Sequence, residues 1–267
     1  MSAALIRSTA LALLLAAFGA HAQAPAAAPA AEQKPAEFVP ESGQAGKDVV
    51  WVPTPRVLVD TMLNMAKVTA KDFVMDLGSG DGRTVITAAK RGARAVGVEY
   101  NPDMVALSKR NAEQEGVAGK AEFMKADLFE TDFSRASVIT MFLLPSINVK
   151  LRPKILQLRA GTRVVSNSFD MGDWQPDQTV NLSAEQGCTA SWCTAHLWIV
   201  PARIAGTHKT AHGELTLKQT YQMLSGTLRT NNGTVEVTGK VRGTSVTLKA
   251  GDREYRGTVT GKSLSLS

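Results

Sequence analysis

The stretch that most limits what this chain can become is Phe73-Val74-Met75-Asp76-Leu77-Gly78-Ser79-Gly80-Asp81-Gly82-Arg83-Thr84. An apolar run of strand type stops at a loop with glycine at every second position, and Thr84 to Lys90 continues with helical composition. Strand, glycine loop and helix make the first half of a βαβ unit, which predicts a parallel sheet with crossover helices. Glycine leaves room for a ligand to approach the backbone and permits positive φ. The helix start beyond it offers unpaired N–H groups to a ligand oxygen.

The spacing sorts the nucleotide-loop types. A dinucleotide fingerprint reads Gly-x-Gly-x-x-Gly, whereas here the order is Gly78-x-Gly80-x-Gly82 with Asp76 two residues ahead. No Gly-Lys-Ser/Thr follows, so the loop is not a P-loop. The pattern Asp-x-Gly-x-Gly-x-Gly resembles motif I of the class I S-adenosylmethionine (SAM) methyltransferases. Ala95-Val96-Gly97-Val98-Glu99 is a second strand ending in a carboxylate, which can take both ribose hydroxyls as at the matching place in dinucleotide folds. The competing uses of such a loop are a nucleotide-dependent oxidoreductase and a glycine-rich turn with no ligand.

Around this loop the elements alternate. A helix is expected over 55–68, with Thr54 as its cap. Strands at 73–77, 94–98, 121–125, 136–143 and 162–168 are interleaved with helices at 83–91, 102–115 and after residue 148. Thr194 to Ile204 reads as a late strand, the antiparallel last one of the sheet. The fold class is α/β: a Rossmann-like, doubly wound, mostly parallel sheet over residues 48–205. After Gly206 the texture changes to Thr, Val, Leu and Gly with strict alternation, and Asn232-Gly233 is a hairpin signal. Residues 206–267 are therefore expected to form a small antiparallel β domain of five or six strands, a sheet or incomplete barrel.

Residues 1–22 have the form of a signal peptide: Arg7, an apolar run from Ala10 to Phe18, and Ala20-His21-Ala22 as a small-x-small cleavage site. The run is short for a membrane span, which takes about 20 residues, so cleavage and export to the periplasm are expected; an uncleaved inner-membrane anchor is the alternative. Residues 23–47 are rich in Ala and Pro and read as a flexible linker. The formal charge of +6 is scattered without basic runs, so it reads as a solvated surface rather than a nucleic-acid site. Cys188 and Cys193 are the only cysteines. In an exported chain the pair can close a small disulfide loop; two free thiols are the alternative, and no further ligands suggest a metal.

A narrower resemblance rests on Val52-Pro53-Thr54-Pro55, the loop from Asp76 to Arg83, Gly97-Val98-Glu99-Tyr100-Asn101-Pro102, Asp127-Leu128-Phe129 and Trp174-Gln175-Pro176-Asp177. With these, residues 51–177 resemble the lysine methyltransferases that modify the ATP synthase c-subunit, and their bacterial relatives. The resemblance implies SAM as cofactor and a protein lysine as acceptor. It implies contacts from Asp76, Gly78, Ser79, Gly80 and Gly82 to the cofactor's amino-acid part, from Glu99 to its ribose and from Asp127 to its adenine amino group. Asp127 can equally be a capping aspartate. Pro145, Asn148, Trp174 and Thr54 are candidates for the acceptor pocket, with Trp51 as a further wall. Leu144-Pro145-Ser146-Ile147-Asn148 departs from the Asn/Asp-Pro-Pro-aromatic signature of base-modifying enzymes, which weighs against nucleic acid. An exported binding module that retains the cofactor site without methyl transfer is the alternative function.

Overall fold

The computed structural model describes Met1 and residues 38–267; the signal-peptide reading and most of the linker lie outside the described residues. The first helix, α1 (Arg56–Met65), begins one residue later than its prolines suggest. Pro55 has φ −53° and ψ 137°, so it occupies the capping position with extended backbone and no side-chain cap. Thr54, expected as the cap, is drawn to the sheet instead, where its hydroxyl accepts from Asn167 Nδ2 at 3.2 Å.

Then follow β1 (Phe73–Leu77), α2 (Arg83–Lys90), β2 (Arg94–Glu99), α3 (Pro102–Gln114), β3 (Ala121–Lys125), β4 (Val138–Met141), α4 (Pro145–Ile155), β5 (Arg163–Asn167), β6 (Gln178–Asn181) and β7 (Thr194–Ile199). Their sheet order is β3-β2-β1-β4-β5-β7-β6. Pairing is parallel from β3 through β5, while β7 runs antiparallel to both β5 and β6. The late strand is antiparallel as expected but does not close the sheet, because β6 covers it at the edge. Successive residues of β1 feed opposite faces. Val74 joins Leu58, Leu63 and Val85 beneath α1 and α2, and Met75 joins Ile139, Val164 and Trp198 on the other side. Asn101 caps α3 by accepting from the Asp103 and Met104 N–H groups.

The second sheet is a seven-stranded meander: β8 (Gly206–Thr210), β9 (Gly213–Thr220), β10 (Met223–Thr230), β11 (Gly233–Arg242), β12 (Ser245–Ala250), β13 (Arg253–Thr260) and β14 (Ser263–Leu266). It has more strands than the spacing of turns predicts. Asn232-Gly233 falls at the β10–β11 turn. Its edge strands β8 and β14 approach each other, curling the sheet most of the way to a barrel around Leu215, Val241 and Leu248.

The segment before β6 joins the two sheets. Trp174, fully buried, stacks on Tyr221 with ring centroids 6.0 Å apart, and its carbonyl accepts from Trp198 Nε1 at 2.7 Å. Asp177, with 1% of its side chain exposed, accepts from the Ile199 N–H at 2.8 Å and pairs with Lys240 of β11 at 2.8 Å. Gln222 Nε2 donates to the Gln175 carbonyl at 2.7 Å.

Candidate active site

The site is built at the carboxyl edge of the parallel strands, where open α/β sheets bind ligands. The loop after β1 is held from three sides. The Gly78 and Ser79 N–H groups donate to the Val98 carbonyl at 2.9 and 3.0 Å, tying the loop to β2. From α3, Ser108 Oγ donates to the Gly80 carbonyl at 2.7 Å and Asn111 Nδ2 to the Asp81 carbonyl at 2.9 Å. Arg83 grips Asp81 and reaches the Thr54 carbonyl at 2.8 Å, so the loop and the segment before α1 are one construction.

Two glycines are required by contact. Gly80 has φ 54°, and a Cβ there would run into the Trp51 indole. Gly82 has φ 81°, and a Cβ would meet the Phe123 ring at 2.7 Å. Gly82 therefore serves the packing of the loop on β3; it is absent from the walls of the cleft, which Gly78, Ser79 and Gly80 line.

The cleft above this loop encloses about 1020 Å³, counting solvent at its mouth. It brings together Asp76, Glu99, Asp127 and Thr54 from the sequence-derived set, with Trp51 beside them. Glu99 ends β2 with its carboxylate pinned at both oxygens: Oε2 accepts from the Gly80 N–H at 3.0 Å and Oε1 from the Asn101 N–H at 2.9 Å. Each oxygen keeps a lone pair for a further donor. Asp76 is buried, and its Oδ1 accepts from Thr140 Oγ1 at 2.6 Å. Burial pushes the Asp76 carboxyl up to about 7; the charges of Asp81 and Glu99 add to the rise, while the Thr140 hydroxyl opposes it. Asp127 acts as the capping aspartate and also pairs with a lysine. Its Oδ1 caps the turn through the Phe129 N–H at 2.8 Å, and its Oδ2 faces the Lys47 ammonium. Bonding to Lys47, then to the Phe129 N–H, holds the Asp127 carboxyl below its usual range.

The other pocket candidates lie apart from these walls. Pro145 is exposed at the first turn of α4. Asn148 is fully buried and spans from α4 to the loop after β5, donating to the Asp170 carbonyl at 3.0 Å. Trp174 belongs to the junction of the two sheets. Sequence reasoning missed Gln44 to Lys47, which composition places in the linker but which line the cleft. The Gly43 N–H donates to the Trp51 carbonyl at 2.8 Å and the Trp51 N–H to the Gln44 carbonyl at 2.9 Å, so residues 43–51 close into a strap across the cleft. Lys47 also lies over the Tyr100 ring, 5.1 Å from its centroid. Phe142, another missed wall, was hidden in the apolar run 136–143 expected as a strand, and it follows β4.

A family described as the ANTKMT methyltransferase domain matches residues 76–178. A protein-lysine N-methyltransferase of Saccharolobus islandicus is 46% identical over 137 residues, 50% of this chain and 85% of that protein. The chain belongs to this methyltransferase family. The human lysine N-methyltransferase of the ATP synthase c-subunit is 38% identical over 48% of this chain and 54% of its own length. The methyltransferase thus spans about half the length of that relative. A crystal structure of an RNA methyltransferase from Salinibacter ruber in complex with S-adenosyl-L-homocysteine is 50% identical, covers 57% of this chain and 96% of its own, and superposes with a TM-score of 0.53.

The methyltransferase's cofactor is SAM, and the residues present fit it. A cleft floored by Gly78, Ser79 and Gly80, a carboxylate with two fixed oxygens and a buried acid suit a ligand carrying a ribose and a positive charge. Among the described residues no group of three or more His, Cys, Asp or Glu could hold a metal ion, and no helix is long and apolar enough to cross a membrane.

Proposed function

We propose that this chain is an exported, periplasmic methyltransferase whose acceptor is the ε-amine of a lysine in a protein. The observation that carries the reading is the 46% identity to a protein-lysine N-methyltransferase across 85% of that protein's length. Export rests on the Arg7, apolar-run and Ala20-His21-Ala22 pattern of the first 22 residues.

The acids and the glycine loop of the cleft have tasks in this reading. Glu99 would hold the two ribose hydroxyls. Asp127 would accept from the adenine amino group in place of Lys47. Asp76 and the backbone around Gly78 and Gly80 would face the amino-acid part. When bound, SAM supplies a methyl group already activated on a sulfonium, so the protein needs neither nucleophile nor metal. Its contribution is alignment and exclusion of water. The incoming lysine must be neutral to attack, and a desolvated cleft beside a fixed positive charge lowers its pKa.

The test is to incubate the full chain with methyl-labelled SAM and, separately, with envelope proteins and with RNA. Label on protein lysines, located by mass spectrometry, is the expected result. Label on RNA alone, or on no lysine, overturns the acceptor assignment. Cell fractionation tests the compartment: an intact N-terminus and a cytoplasmic location would refute export.

A further inference from the structure

We infer that Phe142, Phe169 and Trp192 form the surface that receives the acceptor amine, and that the Cys188–Cys193 disulfide keeps Trp192 in place. The inference rests on the amine-acceptor reading above and deepens it.

The three rings come from three separate places. Phe142 follows β4 and lines the cofactor cleft. Phe169 follows β5 and stacks on Phe142 with centroids 5.9 Å apart. Trp192 comes from the loop before β7, its ring 5.4 Å from Phe169 and 6.1 Å from Phe142. The group is continuous with the cleft on one side and open to solvent on the other: Phe142 and Phe169 are half-buried, and Trp192 is 38% exposed. A core would bury an indole of this size. Here it is held at the rim.

The chain invests structure in this arrangement. Ser168 has φ 59°, a left-handed conformation rare for a residue with a Cβ. That turn sends the chain sharply away at the end of β5 and presents the next residue, Phe169. Asn148 braces the same turn by donating to the Phe169 and Asp170 carbonyls at 3.3 and 3.0 Å. On the opposite side, Cys188 is bonded to Cys193 with Cα atoms 6.0 Å apart, leaving Trp192 on a closed loop. Cys188 is buried although Thr189 to Trp192 are exposed.

Ring faces of this kind attract an alkylammonium and pack its methylene stem. Lysine would be captured at the rim in its charged form and release its proton to the water at that open edge as it passes from Trp192 along Phe142 into the cleft. The occupant is an extended alkylamine. A flat nucleobase would stack on the same rings, and the experiment separates the two.

The full chain, loaded with S-adenosylhomocysteine, is titrated with tetramethylammonium chloride against sodium chloride while tryptophan fluorescence is followed. The wild type should show a saturable response specific to the quaternary ion, and Phe169→Leu, which removes a ring but keeps the Trp192 reporter, should lose it. In parallel, Trp192→Leu should raise KM for a lysine-containing protein acceptor about tenfold while kcat stays within about twofold and cofactor affinity is unchanged. Phe169→Leu is the second variant should the first misfold, and S-adenosylhomocysteine binding reports folding for both. Equal responses to the ion in wild type and Phe169→Leu, with equal KM, overturn the inference while leaving lysine transfer standing. A response to adenosine and none to tetramethylammonium also overturns it. Failure of lysine transfer by a wild type that still responds to the ion sinks the acceptor reading and leaves the rings as an alkylammonium site; failure of both overturns the inference as well.

Discussion

At the scale of single residues, Glu99 and Asp76 make opposite kinds of prediction. Glu99 is already held by two backbone N–H groups, so its side chain is oriented before any ligand arrives. Hydrogen bonds to a charged group contribute about 1.5–3 kcal/mol each. Glu99→Ala should therefore lower SAM affinity by about tenfold or more in calorimetry, with Glu99→Gln falling between. A variant that binds like wild type would remove Glu99 from the cofactor site. Asp76 concerns pH. Its carboxyl sits at about 7 in the folded chain, against 3.8 for an ordinary aspartate. The native state thus holds a proton that the unfolded chain has released. The resulting stabilisation is complete below about 3.8 and is lost as pH rises through about 7. Thermal midpoints of wild type minus Asp76→Asn should fall between about pH 4 and about pH 7 and level off above that. SAM affinity should rise as pH passes through about 7, because the ionised carboxylate is the form that attracts a cation. A flat difference would mean Asp76 does not titrate there. Both residues were legible in the sequence because their order relative to the glycines is diagnostic. The elevation of Asp76 was not, because it depends on burial first and then on Asp81 and Glu99, which only the fold brings close to it.

At the scale of elements, legibility followed how locally each element is determined. The bounds of β1 and β3 match the expectation to the residue, since short strand-type runs between turns are local signals. Strand β6 was missed because Gln178-Thr179-Val180-Asn181 lies on an exposed edge and carries no alternation. The strap at 43–51 was missed for another reason. Its composition resembles a tether, and what pins it is distant in sequence: Lys47 meets Asp127 across 80 positions. The disulfide loop shows the intermediate case. Its spacing and compartment suggested pairing, but only the fold places Trp192 on Phe169. A loop this short gains about 2 kcal/mol from its bond by the chain-entropy estimate. The bond lies outside the walls of the cofactor cleft. Reduction with dithiothreitol should accordingly loosen residues 188–193 in hydrogen exchange and leave the calorimetric affinity for S-adenosylhomocysteine unchanged. A large loss of cofactor affinity on reduction would show that the loop supports the cleft itself.

At the scale of the whole molecule, the two sheets meet through the Trp174-Gln175-Pro176-Asp177 segment, whose Trp174 had been a candidate for the acceptor pocket. Asp177 is nearly inaccessible, while Lys240 keeps 41% of its side chain exposed. Removing the lysine leaves a buried carboxylate with the Ile199 N–H as its remaining partner in this group. Because one partner is solvated, the expected cost of Lys240→Met is at the low end for a buried pair, about 1–2 kcal/mol. The melting midpoint should drop while SAM affinity stays as in wild type. A drop in affinity of equal size would mean that the junction transmits to the cleft.

The strap has one more consequence, and it concerns wear rather than chemistry. Lys47 offers trypsin a cleavage site at the root of the N-terminal stretch, and the same strap forms a wall of the cleft. A filled cleft should stiffen that wall and shield its peptide bonds from digestion. Trypsin should cut after Lys47 readily in the empty protein and several-fold more slowly with S-adenosylhomocysteine present, as read by mass spectrometry of the fragments. The molecule would then be shed from whatever lies upstream of residue 47 mainly when it has no cofactor to use.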